Sequence, residues 1–214
     1  MKVYAHYYSD TEPPEADYRW RTLLQFGDSW EVVGSVFMKN PGSASPLHHA
    51  LTHDVQVRLD AIDATSPWRE FSPDSTMRCI EALFRQYYER RGERLKGVVQ
   101  VFNLMNLRNP NLGEALRKSQ SAGYKYLTTT ASDIRDMRPP VYLGWGSLGG
   151  SKQFADMAKR IFNAVIRDVP NGYLAERFED NPFYHPQYLM LYGKNRPGCR
   201  RLLNAFCEDR VNPE

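Results

Sequence analysis

Three polar residues stand where their types and surroundings could do chemistry. Asn40 follows the apolar run Val32-Val33-Gly34-Ser35-Val36-Phe37-Met38, and Asn103 follows Val98-Val99-Gln100-Val101-Phe102. His185 sits in Asn181-Pro182-Phe183-Tyr184-His185-Pro186-Gln187-Tyr188. An asparagine amide carries a donor and an acceptor together, which suits the edge of a pyrimidine-like ring. A histidine can donate a proton or a hydrogen bond near neutral pH. Asn40 has no basic group, so it could hold a water molecule but not deprotonate it. Each residue also has a plain structural use: asparagine satisfies backbone groups at turns, and a histidine can simply sit in a proline-braced loop.

Other clusters are less telling. Gly144-Trp145-Gly146-Ser147-Leu148-Gly149 has the spacing of a dinucleotide-binding turn. That use needs a second strand ending in an acidic residue, and Asp168 is near the right distance. The helical stripe Phe154, Met157, Ala158, Ile161, Phe162, Val165, Ile166 leaves no room for such a strand. No Gly-Lys-Ser/Thr follows a matching glycine, so a Walker-type phosphate loop is excluded. His48, His49 and His53 lack a third ligand at recognisable spacing and read as a loop or surface cluster. The cysteines Cys79, Cys199 and Cys207 are odd in number, with no Cys-x-x-Cys pair, and read as buried reduced thiols. Neither a cofactor nor a metal is expected. Lys194, Arg196, Arg200 and Arg201 crowd one segment after His185 and could meet phosphates or form an ordinary solvated helix face.

The elements that must position these residues alternate between strand and helix patterns. Arg19 to Phe26 alternates in polarity, Gly27-Asp28 makes a turn, and Val32–Met38 is a strand-length apolar run, so the two strands read as a hairpin. Residues 41–73 hold five prolines and glycines at 41, 42, 46, 67 and 73 and read mostly as loop, with a short helix near Leu51 to Ala61. Asp74 offers an N-cap to a helix carrying Met77, Ile80, Leu83, Phe84 and Tyr87. A helix over Leu112 to Ser119, a strand at Val141 to Trp145, a short strand near Tyr173 to Ala175 and a last helix from Pro197 to Glu208 complete the pattern. The expected fold is a three-layer α/β/α domain around a mostly parallel sheet of about four to five strands. Ligands of such sheets bind at the carboxyl ends of the strands, where Asn40 and Asn103 lie. A chain of 214 residues suits one domain, with residues 1–29 as an N-terminal extension and hairpin strand and 30–206 as the core. A formal charge of +3 permits a polyanionic partner without requiring one. No signal peptide or membrane-spanning run is visible, and a reducing cytoplasmic address is expected.

In order along the chain, these segments resemble the uracil-DNA glycosylase superfamily from about Trp30 to Phe206. Phe37-Met38-Lys39-Asn40-Pro41-Gly42-Ser43 is similar to its first motif, in the Asn-Pro-Gly form of the mismatch-specific branch. Val99-Gln100-Val101-Phe102-Asn103-Leu104 is similar to the strand whose terminal asparagine reads the base. Val141 to Ser147 resembles the Leu-Leu-Trp-Gly strand and turn, and His185-Pro186-Gln187-Tyr188-Leu189 resembles the final His-Pro-Ser-Pro-Leu motif. A nearer resemblance is to a family of uncharacterised bacterial and phage proteins that shares the Asn-Pro loop, a Pro-x-Ser/Thr-x-Arg-Cys stretch like Pro73 to Cys79, Trp-Gly and a late His-Pro. The resemblance implies hydrolysis of the N-glycosidic bond of a flipped-out base. In that scheme Asn40 and His185 are catalytic, and Pro41, Gly42, Phe102 and Asn103 hold the base. Ser43, Ser147, Lys194, Arg196 and Arg200 contact the nucleic-acid backbone, and Tyr188 or Leu189 wedges into the vacated stack. DNA or another nucleic acid is the partner this implies. A fold kept for non-catalytic binding, or an enzyme acting on free nucleotides, are the alternatives.

Overall fold

The computed structural model describes the chain except residues 11–15, 66, 110, 112, 116–117, 119–127, 149, 151, 170–171, 194 and 209–214. The strands are β1 (Lys2–Asp10), β2 (Ala16–Phe26), β3 (Val32–Met38), β4 (Trp68–Phe71), β5 (Gly97–Asn103) and β6 (Val141–Leu143). They form one open six-stranded sheet in the order β4-β1-β2-β5-β3-β6. The chain is therefore a mixed α/β protein. Only β3 runs parallel to its neighbours, β5 and β6; the other three joins are antiparallel.

This corrects the expectation of a mostly parallel sheet of four to five strands. Strand β1 has an aromatic and polar sequence that hides its period, and β4 is only four residues long after Pro67. The expected β2–β3 hairpin is also absent, because β5 lies between them. Strand β2 is buried from Arg21 through Phe26, so it needs a hydrogen-bonded neighbour on each side, which β1 and β5 supply. Gly27 still turns the chain, at φ +64°.

Side chains alternate between the two faces. Val3, Ala5, Leu24, Phe26, Val36, Met38, Val99 and Val101 leave one face and pack on helix α2 (Ser75–Glu89) and a C-terminal helix (Pro197–Cys207). Phe37, Phe102, Val141 and Leu143 leave the other and pack on the long helix Lys152–Asp168, through Phe154, Met157, Ala158, Ile161, Phe162 and Val165. Further along that face, Tyr4, Leu23 and Val98 meet helix α1 (His53–Ile62) at Leu59. Helix α2 starts as its sequence suggests: the Asp74 carboxylate accepts a hydrogen bond from the Met77 N–H at 2.8 Å. Cys79, Cys199 and Cys207 are buried free thiols.

No strand forms near Tyr173. Its hydroxyl donates to the Val141 carbonyl at 3.0 Å and accepts from the Leu143 N–H at 2.9 Å. One side chain thus covers the open edge of β6 that another strand would have paired. Of the expected helix over Leu112–Ser119, the described residues Gly113, Glu114, Ala115 and Lys118 are helical, and the others lie outside the described residues. Among the described residues, no helix is long and apolar enough to cross a membrane.

Strand β5 begins at Gly97, with φ +129°, where an added Cβ would stand 2.6 Å from the Glu31 carbonyl oxygen. Gly92 also has a positive φ, +72°, but open space around it. Gly97→Ala is therefore expected to lower unfolding free energy by about 1–3 kcal/mol more than Gly92→Ala, read from urea denaturation midpoints.

Candidate functional site

The site grows from the parallel pairing of β3 and β5. Met38 lies opposite Asn103. The pairing runs on past the strands, with the Leu104 N–H donating to the Met38 carbonyl at 2.8 Å and the Met105 N–H to that of Lys39 at 3.0 Å. Asn40 and Asn103 consequently emerge at the same carboxyl edge of the sheet. The Asn40 Nδ2 donates to the Asn109 carbonyl at 3.1 Å, which fixes its amide and leaves Oδ1 as an acceptor. Asn103 is only 2 % exposed, and among the described residues its side-chain amide has no hydrogen-bond partner. Its carbonyl accepts from the Thr129 hydroxyl.

His185 arrives from a separate segment that the β6 turn holds in place. The Gly146 N–H donates to the Phe183 carbonyl at 2.7 Å, and the Tyr142 hydroxyl to the Tyr184 carbonyl at 2.6 Å. Gly144 of that turn serves this approach. A Cβ at Gly144 would stand 2.7 Å from the Tyr142 ring and 3.1 Å from Pro186, whereas at Gly146 the backbone conformation, φ +65°, is what calls for glycine. The His185 Nδ1 accepts the Gln187 N–H at 3.3 Å, so the neutral ring carries its proton on Nε2. Burial pushes the His185 pKa below its ordinary 6.5, the Lys39 charge pushes it further down, and Asp74 opposes both.

Asn40, Pro41, Gly42, Asn103 and His185 line one cavity of about 90 Å³. That is several times the ~10–15 Å³ one water needs. Arg19, Thr22, Asp74 and Thr76 complete its polar lining, with Met38, Met77, Ile80 and Val101 as apolar wall. Asp74 is readable from sequence as a helix cap, and nothing in that reading aims it at a pocket. Arg19 and Thr22 were invisible, because a strand of regular alternation would separate them onto opposite faces.

Other expected site residues stand elsewhere. Phe102 alternates to the opposite face from Asn103, where it is 2 % exposed and stacks on Phe37 with ring centroids 5.2 Å apart. It cannot stack on a base in this cavity. Leu189 is fully buried in the core beneath α2, so it is no wedge. Tyr188 is half-buried, with its hydroxyl accepting from Arg196 at 2.6 Å and its ring 5.2 Å from that of Tyr184. Ser43 and Ser147 are exposed, as are Arg196 and Arg200, and none lines the cavity. Lys194 lies outside the described residues. His48, His49 and His53 are exposed, and His49 pairs with Glu70 at 3.0 Å.

No protein-family model, curated protein or solved structure matches the chain. The chemistry of the cavity therefore rests on its own residues.

Because the folded state lowers the His185 pKa, it binds fewer protons than the unfolded chain once pH falls below the ordinary histidine value. The stability that the neutral ring contributes is present above that value and is lost as pH falls through and below it. His185→Asn is expected to lose less stability than wild type between about pH 7.5 and 5, measured as the shift in urea midpoint with pH.

Proposed function

We propose that this cavity receives an unstacked nucleobase and hydrolyses its N-glycosidic bond, the chemistry of the uracil-DNA glycosylase type. The observation that carries the reading is that Asn40, Asn103 and His185, from three separate segments, line one cavity at the carboxyl ends of parallel strands. Helices on both faces of the sheet support the three-layer arrangement of that superfamily, to which the antiparallel half β4-β1-β2 would be an addition.

Asn103 lines the cavity from a nearly water-free wall, and its amide, a donor and an acceptor together, is suited to reading a base edge. The departing base takes the electrons of the C–N bond as a water oxygen bonds to the sugar carbon. The Nε2–H of neutral His185 donates to the oxygen on which that charge develops. Asn40 Oδ1 orients the water, and the Asp74 carboxylate accepts its proton. An aspartate at position 40 would set a carboxylate oxygen against the Asn109 carbonyl, so the acid of this site comes from α2 instead of β3.

Burial of Leu189 removes the apolar wedge that prising a base out of a duplex needs. That favours a base already unstacked, in a single strand or a free nucleotide. Exposed Arg196 and Arg200 are available to a phosphate backbone.

The test is release of base from labelled single-stranded oligonucleotides, and from nucleosides and nucleotides, carrying uracil, hypoxanthine or hypermodified bases. Wild type is expected to cleave at least one. His185→Ala and Asp74→Asn should each slow it by about 10²–10⁴. Asp74→Asn should melt close to wild type, because asparagine caps a helix about as well as aspartate. Salt-dependent binding with no base released from any substrate would select a non-catalytic binder instead.

A further inference from the structure

Arg19 is 3 % exposed and lines the cavity. Its Nη1 makes one long hydrogen bond, 3.4 Å to the Ala44 carbonyl, and its guanidinium lies 5.4 Å from the Phe71 ring centre. Its Nε is buried with no hydrogen-bond partner. Among the described residues no carboxylate forms an ion pair with it. Asp74 acts on it only from longer range, and Arg108 repels it. Burial pulls its pKa down to about 10, which leaves it charged at neutral pH. An uncompensated buried charge is among the costliest things a fold can keep.

The backbone is distorted to put it there. Ala5 pairs with Thr22 and His6 with Trp20, so Arg21 is an extra residue in β2, and it takes φ +40°. This bulge turns Arg19 and Thr22, three positions apart, onto the same face and into the cavity. Arg21 is anchored on the other face by Asp63 at 3.0 Å, Asp136 at 3.1 Å and the Gln100 side chain at 3.4 Å. Two carboxylates pair with Arg21, although its Nε is also buried without a partner, and among the described residues none pairs with Arg19.

The opposing feature is the N-terminus of the fifteen-residue helix α2, whose Thr76 and Met77 also line the cavity. The Asp74 carboxylate already caps the Met77 amide, and the first-turn amides it leaves open, with a guanidinium that has no ion-pair partner among the described residues, together make an anion site. The Asp74 carboxylate in the same cavity disfavours a second full negative charge, which restricts the ligand to a single one.

We infer that the missing counter-ion of Arg19 is supplied by the ligand: the group that fills this cavity carries a singly charged oxyanion, a carboxylate or a phosphodiester, seated against Arg19 and the first turn of α2. The inference rests on the cavity being the ligand site and is independent of hydrolysis. A ligand built this way is bound with the fork geometry that arginine provides and lysine does not.

Thermal melting with sodium acetate, dimethyl phosphate and neutral uracil as separate probes tests it. Wild type is expected to show a saturable rise in Tm with acetate or dimethyl phosphate, and the one that acts identifies the source of the oxyanion. Arg19→Met should melt at or above wild type, since it removes an uncompensated charge, and should lose the response. Arg19→Lys should keep it with roughly tenfold weaker affinity, which decides the matter if Arg19→Met does not fold. An equal anion response in Arg19→Met, or no anion response in wild type, overturns the proposal. If uracil alone binds, the anion site falls and the nucleobase pocket stands. If the anion response depends on Arg19 but no base is ever released, hydrolysis falls and the anion site stands.

Discussion

The parallel register of β3 against β5 is the constraint on which the rest depends. With Met38 opposite Asn103, Val36 opposite Val101 and Phe37 opposite Phe102, two strands buried on both faces end together at one edge. A slip of β5 by one residue against β3 would exchange Phe102, which belongs against the long helix, with Val101, which belongs against α2. It would also turn Asn103 away from the cavity. The hydrophobic pattern that fixes the core therefore fixes the amides too.

The outer, antiparallel half of the sheet contributes in a different currency. Its bulge at Arg21 is a strained backbone position for a residue with a side chain, and such strain persists only where surrounding contacts over-determine it. The contacts with Asp63, Asp136 and Gln100 do so here. Burial by itself would raise the Asp63 pKa, but hydrogen bonds from Thr65, the His6 charge and the hydrogen bond from Arg21 outweigh it and lower the pKa below its ordinary value. Two arginines of one strand thus differ in their counter-ions: Arg21 is paired with two carboxylates, while among the described residues Arg19, which faces the cavity, is paired with none.

The cavity itself is assembled from rigid pieces. Arg108 donates to the carbonyls of Ser43 and Ala44 and to the Ser45 hydroxyl while pairing with Asp17 at 2.9 Å, so the chain after Gly42 is tied to β2. The segment before His185 is tied to β6 through Tyr142 and Gly146. Such anchoring holds polar groups in place before a ligand arrives, which is what lets fixed dipoles stabilise charge without reorganising. The exposed residues beyond it, Ser43, Ser147, Arg196 and Arg200, form no part of that lining.

By itself the sequence determined what depends on period and local chemistry. The strands ending at Met38 and Asn103, the Asp74 cap with its helix, the stripe from Phe154 and the last helix were all legible, because hydrophobic alternation and capping are local signals. So was the set Asn40, Asn103 and His185, as polar residues at breaks in apolar runs. Tertiary structure alone decided which strands are neighbours, so it put β5 between β2 and β3 and added β1 and β4. It also decided which face Phe102 takes and that Leu189 is core. Arg19 entered the cavity through a one-residue bulge, and Asp74 through the docking of α2. Those outcomes turn on pairing partners and a single extra residue, contacts between segments far apart in sequence, for which no local pattern carries a signal.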